Sequence, residues 1–183
     1  MQKGILLFLT IIIISNTVNC QITKDNWMLG GVISYASTNY NSTNYGEPHT
    51  TYNLQRSPNI GYFFVNKLAG GLKVGISKTG DKDKNQSYTN FNLGPYFRYY
   101  LLASEKQVNV VTEAAYMYGF EKGSTPDKTS KNTFSFSAGP VIYFNNVVGL
   151  EMLVSYSTYK FSDFDGSNNT IKFGLGLQVH LEK

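Results

Sequence analysis

The chain has 183 residues, of which 15% are aromatic and 15% are charged, and its formal net charge is +4. This length predicts a single domain that is large enough to bury a core. The aromatic content excludes a disordered chain, and the composition lacks the Ala, Glu, Lys and Leu enrichment of a coiled coil. The charged fraction is well below the quarter that is usual in soluble domains, and so small a net charge gives no reason to expect a nucleic-acid partner.

The chain opens with the pattern of a secretory signal peptide. A short positive start precedes an almost unbroken apolar run over residues 4–14, and a small, polar stretch follows. The run is shorter than the about 20 apolar residues of a transmembrane helix, so we expect a signal peptide over 1–20 and a mature domain over 21–183. The alternative is a lipoprotein in which Cys20 is lipidated, although Asn19 fits a lipobox poorly. Cys20 is the single cysteine, so its removal would leave no thiol nucleophile and no cysteine metal site.

Apolar residues alternate with small or polar ones through the rest of the chain. From Phe134 to Phe144, and again from Ile171 to Leu181, every second residue is apolar or bulky. Because successive side chains of a strand point to opposite faces, this period of two predicts strands. Eight such segments follow one another, at about 27–37, 51–65, 68–78, 88–102, 107–120, 133–144, 147–161 and 170–182.

The lengths and connections of these segments fit a membrane barrel. The strands have about 11 to 15 residues, whereas soluble strands have about 5–6 and a tilted membrane strand needs about 9–11. Tight turns at 66–67, 103–106 and 145–146 alternate with longer polar loops at 38–50, 79–87, 121–132 and 162–169. Short periplasmic turns and long outer loops are typical of outer-membrane barrels. The sequence therefore predicts an all-β protein, an eight-stranded antiparallel up-and-down transmembrane β-barrel.

The two faces of the predicted strands differ in residue size. One face carries small residues, namely Gly30, Ser34, Gly71, Gly75, Gly94, Gly139, Gly149, Ser155, Gly174 and Gly176. Bulky aromatics lie toward the strand ends, namely Trp27, Tyr62, Phe64, Phe97, Tyr99, Phe144, Tyr156 and Phe161. Small residues suit a narrow lumen and aromatics suit the two membrane interfaces, so we expect the bulky face to meet lipid. The alternative is a soluble exported barrel, with the faces reversed, that holds an apolar ligand.

Several strand segments also carry a family resemblance. They read WMLGG at 27–31, SPNIGYFFV at 57–65, LAGGL at 68–72, LGPYF at 93–97, SAGPVIYF at 137–144 and FGLGL at 173–177. Over roughly 22–183 the chain resembles the small eight-stranded outer-membrane β-barrel proteins of the OmpA/OmpX type, in particular the Bacteroidetes-type outer-membrane β-barrel domain. The resemblance implies location in the outer membrane and insertion by the outer-membrane assembly machinery. The chain departs from the family at its end, where Leu181-Glu182-Lys183 replaces the usual terminal aromatic residue.

Three prolines and one arginine fit the predicted strands less well. Pro58, Pro95 and Pro140 fall inside strands, and proline removes a ladder donor, so we expect bulges or missing ladder bonds beside them. Arg56 falls on the lipid-facing parity. It is predicted to lie near the outer rim, where an arginine costs about 0–1 kcal/mol, or else a bulge at Ser57-Pro58 resets the parity.

Four charged residues on the small-residue face form a predicted lumen charge layer. Lys73, Arg98, Glu113 and Glu151 each lie about four or five residues from a periplasmic turn, on four different strands, and Gln178 lies at a similar height. Two cations and two anions would neutralise one another there, and buried charges are found paired. We interpret the layer as a structural plug, because eight strands leave a lumen that side chains can fill. The alternative is a polar filter in a pore.

No catalytic residue, metal ligand or cofactor site is predicted elsewhere. His49, in the first long loop, and His180, near the periplasmic end, lie at opposite ends of the barrel and cannot share a metal. Some eight-stranded barrels are lipid A-modifying enzymes that use a His with a Ser or Asp near the outer rim, but His49 has no such partner at a fixed spacing. The acidic stretches at 81–85 and 163–168 lack the acidic residue that closes a calcium loop. We therefore expect no enzyme activity.

The outer loops carry the remaining functional expectation. The loop at 38–50 is rich in Tyr, Ser, Asn and Gly, which adaptable binding loops favour. An extracellular ligand at loops 38–50 and 121–132 is one interpretation, and hydrophilic loop filler is the other. We expect a monomeric, non-enzymatic protein in contact with outer-membrane lipid, with an envelope-structural or surface-contact role. A small passive pore is the alternative function.

Overall fold

The computed structural model describes residues 22–40, 49–81, 86–122, 128–162 and 167–182, so the predicted signal peptide lies outside the described residues. Eight strands run through these ranges: β1 (Trp27–Tyr40), β2 (His49–Val65), β3 (Leu68–Asp81), β4 (Gln86–Tyr100), β5 (Val108–Lys122), β6 (Lys128–Tyr143), β7 (Val148–Phe161) and β8 (Asn168–Leu181). Each strand pairs antiparallel with the next, and β8 pairs with β1 to close the sheet. The predicted eight-stranded antiparallel up-and-down barrel is confirmed. Within the same ranges, no helix is long and apolar enough to cross a membrane.

The strands extend further at their outer ends than the sequence predicts. The predicted loop 121–132 is mostly strand, because β5 and β6 keep pairing as far as Lys122 and Lys128. The predicted loop 38–50 is shortened in the same way, since Tyr40 still pairs with His49. Residues are polar on both faces at these ends, so the period-two signal disappears while the backbone ladder continues. What remains of the two loops, 41–48 and 123–127, lies outside the described residues.

Bulky apolar side chains point outward from the barrel and small or polar ones point inward. Phe173 is 69% exposed and Leu175 is 60% exposed, whereas Arg98 is 1% exposed and Glu151 is 0% exposed. This orientation is that of a membrane barrel and is opposite to that of a soluble ligand-binding barrel. Phe161 is an exception to the predicted aromatic girdle, because it lies on the inward parity of β7 and lines the outer part of the lumen.

The aromatic side chains at the periplasmic end form a packed outward cluster. Trp27 and Tyr62 meet edge to face with ring centroids 5.2 Å apart, and Tyr62 meets Phe64 at 5.8 Å. The Tyr62 hydroxyl also donates a hydrogen bond to Asp25 Oδ1 at 2.6 Å. Amphipathic rings of this kind favour the boundary between hydrocarbon and water.

The ladder is interrupted on one side of each strand proline. Pairing is missing between Arg56↔Ile76 and Asn59↔Lys73 (β2–β3), between Leu93↔Tyr118 and Tyr96↔Ala115 (β4–β5), and between Ala138↔Val154 and Val141↔Glu151 (β6–β7). The predicted missing ladder bonds are therefore confirmed. The register is the same on both sides of each gap, so the alternative bulge at Ser57-Pro58 is wrong. Arg56 points outward and is exposed.

The segment that precedes β1 is bound to the periplasmic end of the barrel. The Ile22 carbonyl accepts a hydrogen bond from the Lys67 amide at 2.8 Å, and the Asp25 amide donates to the Phe63 carbonyl at 2.9 Å. The Ile22 side chain is fully buried. An inward layer of rings, Phe63, Tyr100, Tyr143 and His180, fills the lumen at this end, with centroids 5.6 to 6.0 Å apart.

Candidate functional site in the barrel lumen

The four charged residues that the sequence places on one level are joined in a single network. Arg98 donates from Nε and Nη2 to Glu113 Oε2, at 3.1 and 2.7 Å, and from Nη1 to Glu151 Oε1 at 2.6 Å. Lys73 Nζ forms an ion pair with Glu113 Oε1. Gln178 Nε2 donates to Glu151 Oε2 at 3.3 Å. The network therefore holds two cations and two anions with no excess charge.

Strand register brings these side chains together. Arg98 and Glu113 are direct partners on β4 and β5, whereas Glu151 reaches Arg98 from β7. Among the residues that the structure describes, Glu113 forms ion pairs with two cations, and Glu151 forms one with Arg98. Arg98 is thus the residue that ties the two halves of the barrel wall across the lumen.

Neutral side chains complete the surroundings of the two cations. The Tyr96 ring lies 5.3 Å from Lys73 Nζ and 5.9 Å from Arg98 Cζ, within the range of cation–π attraction. Arg98 Nη1 also lies 3.8 Å from Met28 Sδ. Tyr96 and Met28 were not predicted from the sequence as part of the layer. Both lie on the inward parity, so extending the parity argument to neutral residues would have found them.

The charge layer and the ring layer below it close the lumen toward the periplasm. Arg98, Glu151, Tyr143 and His180 are at most 1% exposed. A water-filled channel past these residues would expose them to solvent. In the described part of the chain, side chains therefore fill the interior toward the periplasm.

Above the charge layer the lumen opens into a polar cavity, here called the outer cup, of about 280 Å³. Lys131 Nζ lies 3.9 Å from the centroid of Tyr159 in its wall, and Lys172 Nζ donates to Gln55 Oε1 at 2.7 Å. The Glu121 carboxylate also lies in the wall and accepts a hydrogen bond from Asn90 at 2.6 Å. The lining otherwise consists mostly of Ser, Thr, Asn and Tyr side chains, so the cup suits a polar ligand.

Three buried oxygen atoms in the cup wall lack a hydrogen-bond partner among the described residues. They belong to the side chains of Asn53, Asn92 and Thr133. Buried polar atoms are normally satisfied by protein or water. These oxygens are therefore free to bind water or a ligand in the cup.

The sequence did not predict the outer cup as a site. Lys131 falls within the predicted loop 121–132, although it continues the inward parity of Thr133 and Ser135. Lys172 falls on the polar face of the last predicted strand, but the sequence gives no sign that Gln55 lies near it. Gln55 is on β2 and Lys172 is on β8, and the two strands become neighbours across β1 only because β1 pairs with both of them.

The backbones of the two histidines lie at opposite ends of the barrel, with His49 at the start of β2 and His180 near the end of β8. The His49 side chain lies outside the described residues, and His180 is buried among Phe63, Tyr100 and Tyr143 at the periplasmic end. Among the residues that the structure describes, no group of three or more His, Cys, Asp or Glu side chains could hold a metal ion.

Comparison with known proteins adds a likeness in fold. No protein-family model matches the chain, and no curated protein matches it in sequence. The crystal structure of Neisserial surface protein A (NspA) aligns with 84% of this chain and 96% of that chain, at 11% identity and a TM-score of 0.61. The chain has the fold of a small outer-membrane β-barrel.

Two further structures align with lower TM-scores. The outer membrane enzyme PagL covers 83% of this chain with 98% of its own, at 11% identity and a TM-score of 0.44. The Yersinia pestis outer membrane protein Ail covers 86% of this chain with 100% of its own, at 16% identity and a TM-score of 0.38.

Proposed function

We propose that this protein is an integral outer-membrane β-barrel with a closed lumen, a non-catalytic envelope-structural or surface-contact role, and a monomeric state. The observation that carries the proposal is the distribution of polarity. The outward face is apolar and can meet lipid, while the inward face holds a neutralised charge layer above packed rings. We also assign the chain to the Bacteroidetes-type branch of small outer-membrane barrels, on the strand motifs quoted above.

Export and membrane insertion follow from the same proposal. The chain is exported by the segment 1–20, is inserted by the outer-membrane assembly machinery and has outer-membrane lipid as its surroundings. Its outer ends, where the loops 41–48 and 123–127 begin, are the parts available for contact with an extracellular partner. The test is cell fractionation: the protein should remain with the outer membrane after a high-salt wash. Recovery from the periplasm without detergent would contradict the proposal.

A passive pore is the second candidate function, and the structure gives it little support. A pore requires a continuous aqueous path through the lumen, and such a path would expose the charge layer to water. Arg98 and Glu151 are instead almost fully buried. We therefore expect planar bilayers that contain the refolded barrel to show no steady conductance. Large, reproducible, ion-selective current steps would establish the pore in place of the structural role.

A further inference from the structure

The seam that closes the barrel is split at its outer end. Pairing between β1 and β8 runs from Trp27↔Leu181 to Tyr35↔Phe173 and stops there. Beyond that point β1 still pairs with β2 as far as Tyr40, and β8 still pairs with β7 from Asn168. Residues 36–40 and 168–172 are therefore strands on one side only, and no ladder bonds join them across the seam.

The split forms a lateral notch in the barrel wall. The notch has a volume of about 440 Å³ and lies between Ser37 on β1 and Asn169 on β8. It shares Ala36, Tyr159 and Thr170 with the outer cup. The interior of the barrel therefore reaches its side wall through this notch.

On the outward face the notch continues into an apolar groove. The groove has a volume of about 1030 Å³ and follows the outward faces of β7, β8 and β1. Tyr35 and Phe173 line both the notch and the groove. Ile33, Met152 and Leu175 supply the hydrocarbon surface of the groove. Because the notch shares residues with both the cup and the groove, the polar cup, the notch and the apolar groove form one continuous path.

We propose that this path binds an anionic lipid, with the headgroup in the outer cup, the glycerol region in the notch and a hydrocarbon chain in the groove. The proposal rests on the membrane location proposed above. Among the described residues, neither Lys131 nor Lys172 has a carboxylate within ion-pair distance. Glu121 in the same lining offsets one of these two positive charges, and a phosphate in the cup would balance the other. Charge-assisted hydrogen bonds of this kind are the strong ones.

The notch also offers backbone partners to a ligand of this chemistry. Buried or partly buried backbone N–H and C=O groups are normally hydrogen-bonded, by protein, water or a ligand. The seam edges at residues 36–37 and 169–172 lack bonds to each other. Ester and hydroxyl oxygens of a lipid can bind these edges, whereas a hydrocarbon chain alone cannot.

The test is a titration followed by amide chemical shifts. The ¹⁵N-labelled barrel, in phosphatidylcholine nanodiscs, is titrated with lysophosphatidylglycerol. We expect saturable shifts at Ala36, Thr170 and Leu175, and none at Leu72, which lies outward on β3 away from the seam. The double variant Lys131→Gln/Lys172→Gln should raise the Kd by about tenfold or more. The matched control, Lys122→Gln, removes an outward lysine at the same end and should leave the Kd unchanged.

Two further ligands separate the parts of the proposal. Glycerol phosphate carries the head without the chain, and lysophosphatidylcholine carries the same chain on a head without net charge. Both should bind at least about tenfold more weakly. Equal binding of glycerol phosphate would overturn the role of the groove, and equal binding of lysophosphatidylcholine would overturn recognition of the anion. Shifts spread evenly around the barrel would overturn the lipid site. The proposed function would still stand in that case if the protein remained inserted in the membrane and did not conduct.

Discussion

At the scale of single residues, Arg98 has the most demanding position in the barrel. Its guanidinium is buried and directs separate nitrogen atoms to carboxylates on two strands. Planar, always charged and able to donate from several nitrogens, arginine suits such a fork better than lysine does. Burial of these charges is tolerable because every one of them has a partner of opposite sign.

Removing the arginine should affect its two carboxylate partners unequally. Arg98→Met should lower the unfolding free energy by about 3–5 kcal/mol, because it leaves a buried charge without its partner. Glu113 would keep Lys73, whereas Glu151 would keep only the neutral Gln178. In double-mutant cycles the coupling of Arg98→Met with Glu151→Gln should therefore exceed the coupling with Glu113→Gln. Urea titration of the refolded barrel measures both.

The matched control for these cycles is Lys122→Met, which removes an exposed cation from β5. It should change stability by no more than about 0.5 kcal/mol. Strictly additive cycles would show that the charges do not interact. A larger coupling to Glu113 would show that Lys73 does not compensate for the lost arginine.

At the scale of elements, glycine and proline occur together at places where two strands approach each other closely. Gly94-Pro95 and Gly139-Pro140 both lie at gaps in the ladder. A Cβ atom on Gly94 would lie 1.9 Å from the Tyr116 carbonyl oxygen. The neighbouring strand thus occupies the space of a side chain, and the missing proline donor removes the bond that would hold a regular spacing.

Filling this space should destabilise the barrel. Gly94→Ala should lower the unfolding free energy by about 1–3 kcal/mol or more, because the atom in the way belongs to the backbone and cannot change rotamer. Gly31→Ala is the control, since a Cβ there would meet Pro58 Cα at 3.2 Å and would require a much smaller shift of the neighbouring strand than at Gly94. Urea titration should show a clearly smaller loss for the control. Equal losses would mean that the close approach at Gly94 relaxes freely.

The segment before β1 is a second element with a local role. Ile22→Ala should lower stability by about 2 kcal/mol, because it removes a fully buried side chain at the periplasmic end. The variant should stay non-conducting in planar bilayers, since the charge layer above remains. Current through the Ile22→Ala barrel would show that Ile22 is the main seal.

Strand parity predicted the charge layer, but it did not predict the outer ends of the strands or the split seam. Alternation placed Lys73, Arg98, Glu113 and Glu151 on one face, and distance from the turns gave them a common height. Alternation gave no sign of the strand ends near Lys122 and Lys128, where both faces are polar. Nor could it indicate the split seam, because the pairing of β1 with β8 depends on how the whole sheet closes.

At the scale of the whole molecule, the free-energy cost of a charge on the outward face should depend on its depth in the bilayer. Leu175 is outward and pairs with Ile33 and Met152 in the apolar band. Leu175→Arg should cost about 2–4 kcal/mol in a bilayer, because the charge would meet hydrocarbon. Ser87→Arg, outward at the outer end of β4, should cost about 0–1 kcal/mol. Reversible unfolding from lipid vesicles compares the two, and equal costs would remove the membrane interpretation of this face.

The Arg98 network also bears on the order of assembly. Its members come from β3, β4, β5, β7 and β8, and Glu151 lies 53 positions along the chain from Arg98. A hairpin of β4 and β5 can form the Arg98–Glu113 pair by itself, but Arg98 reaches its second carboxylate only when β7 lies across the lumen. A partly wound sheet would therefore hold an unbalanced charge facing its interior. A sheet that has curled far enough to bring β7 across the lumen balances all four charges, so the network favours curled sheets over open ones during insertion.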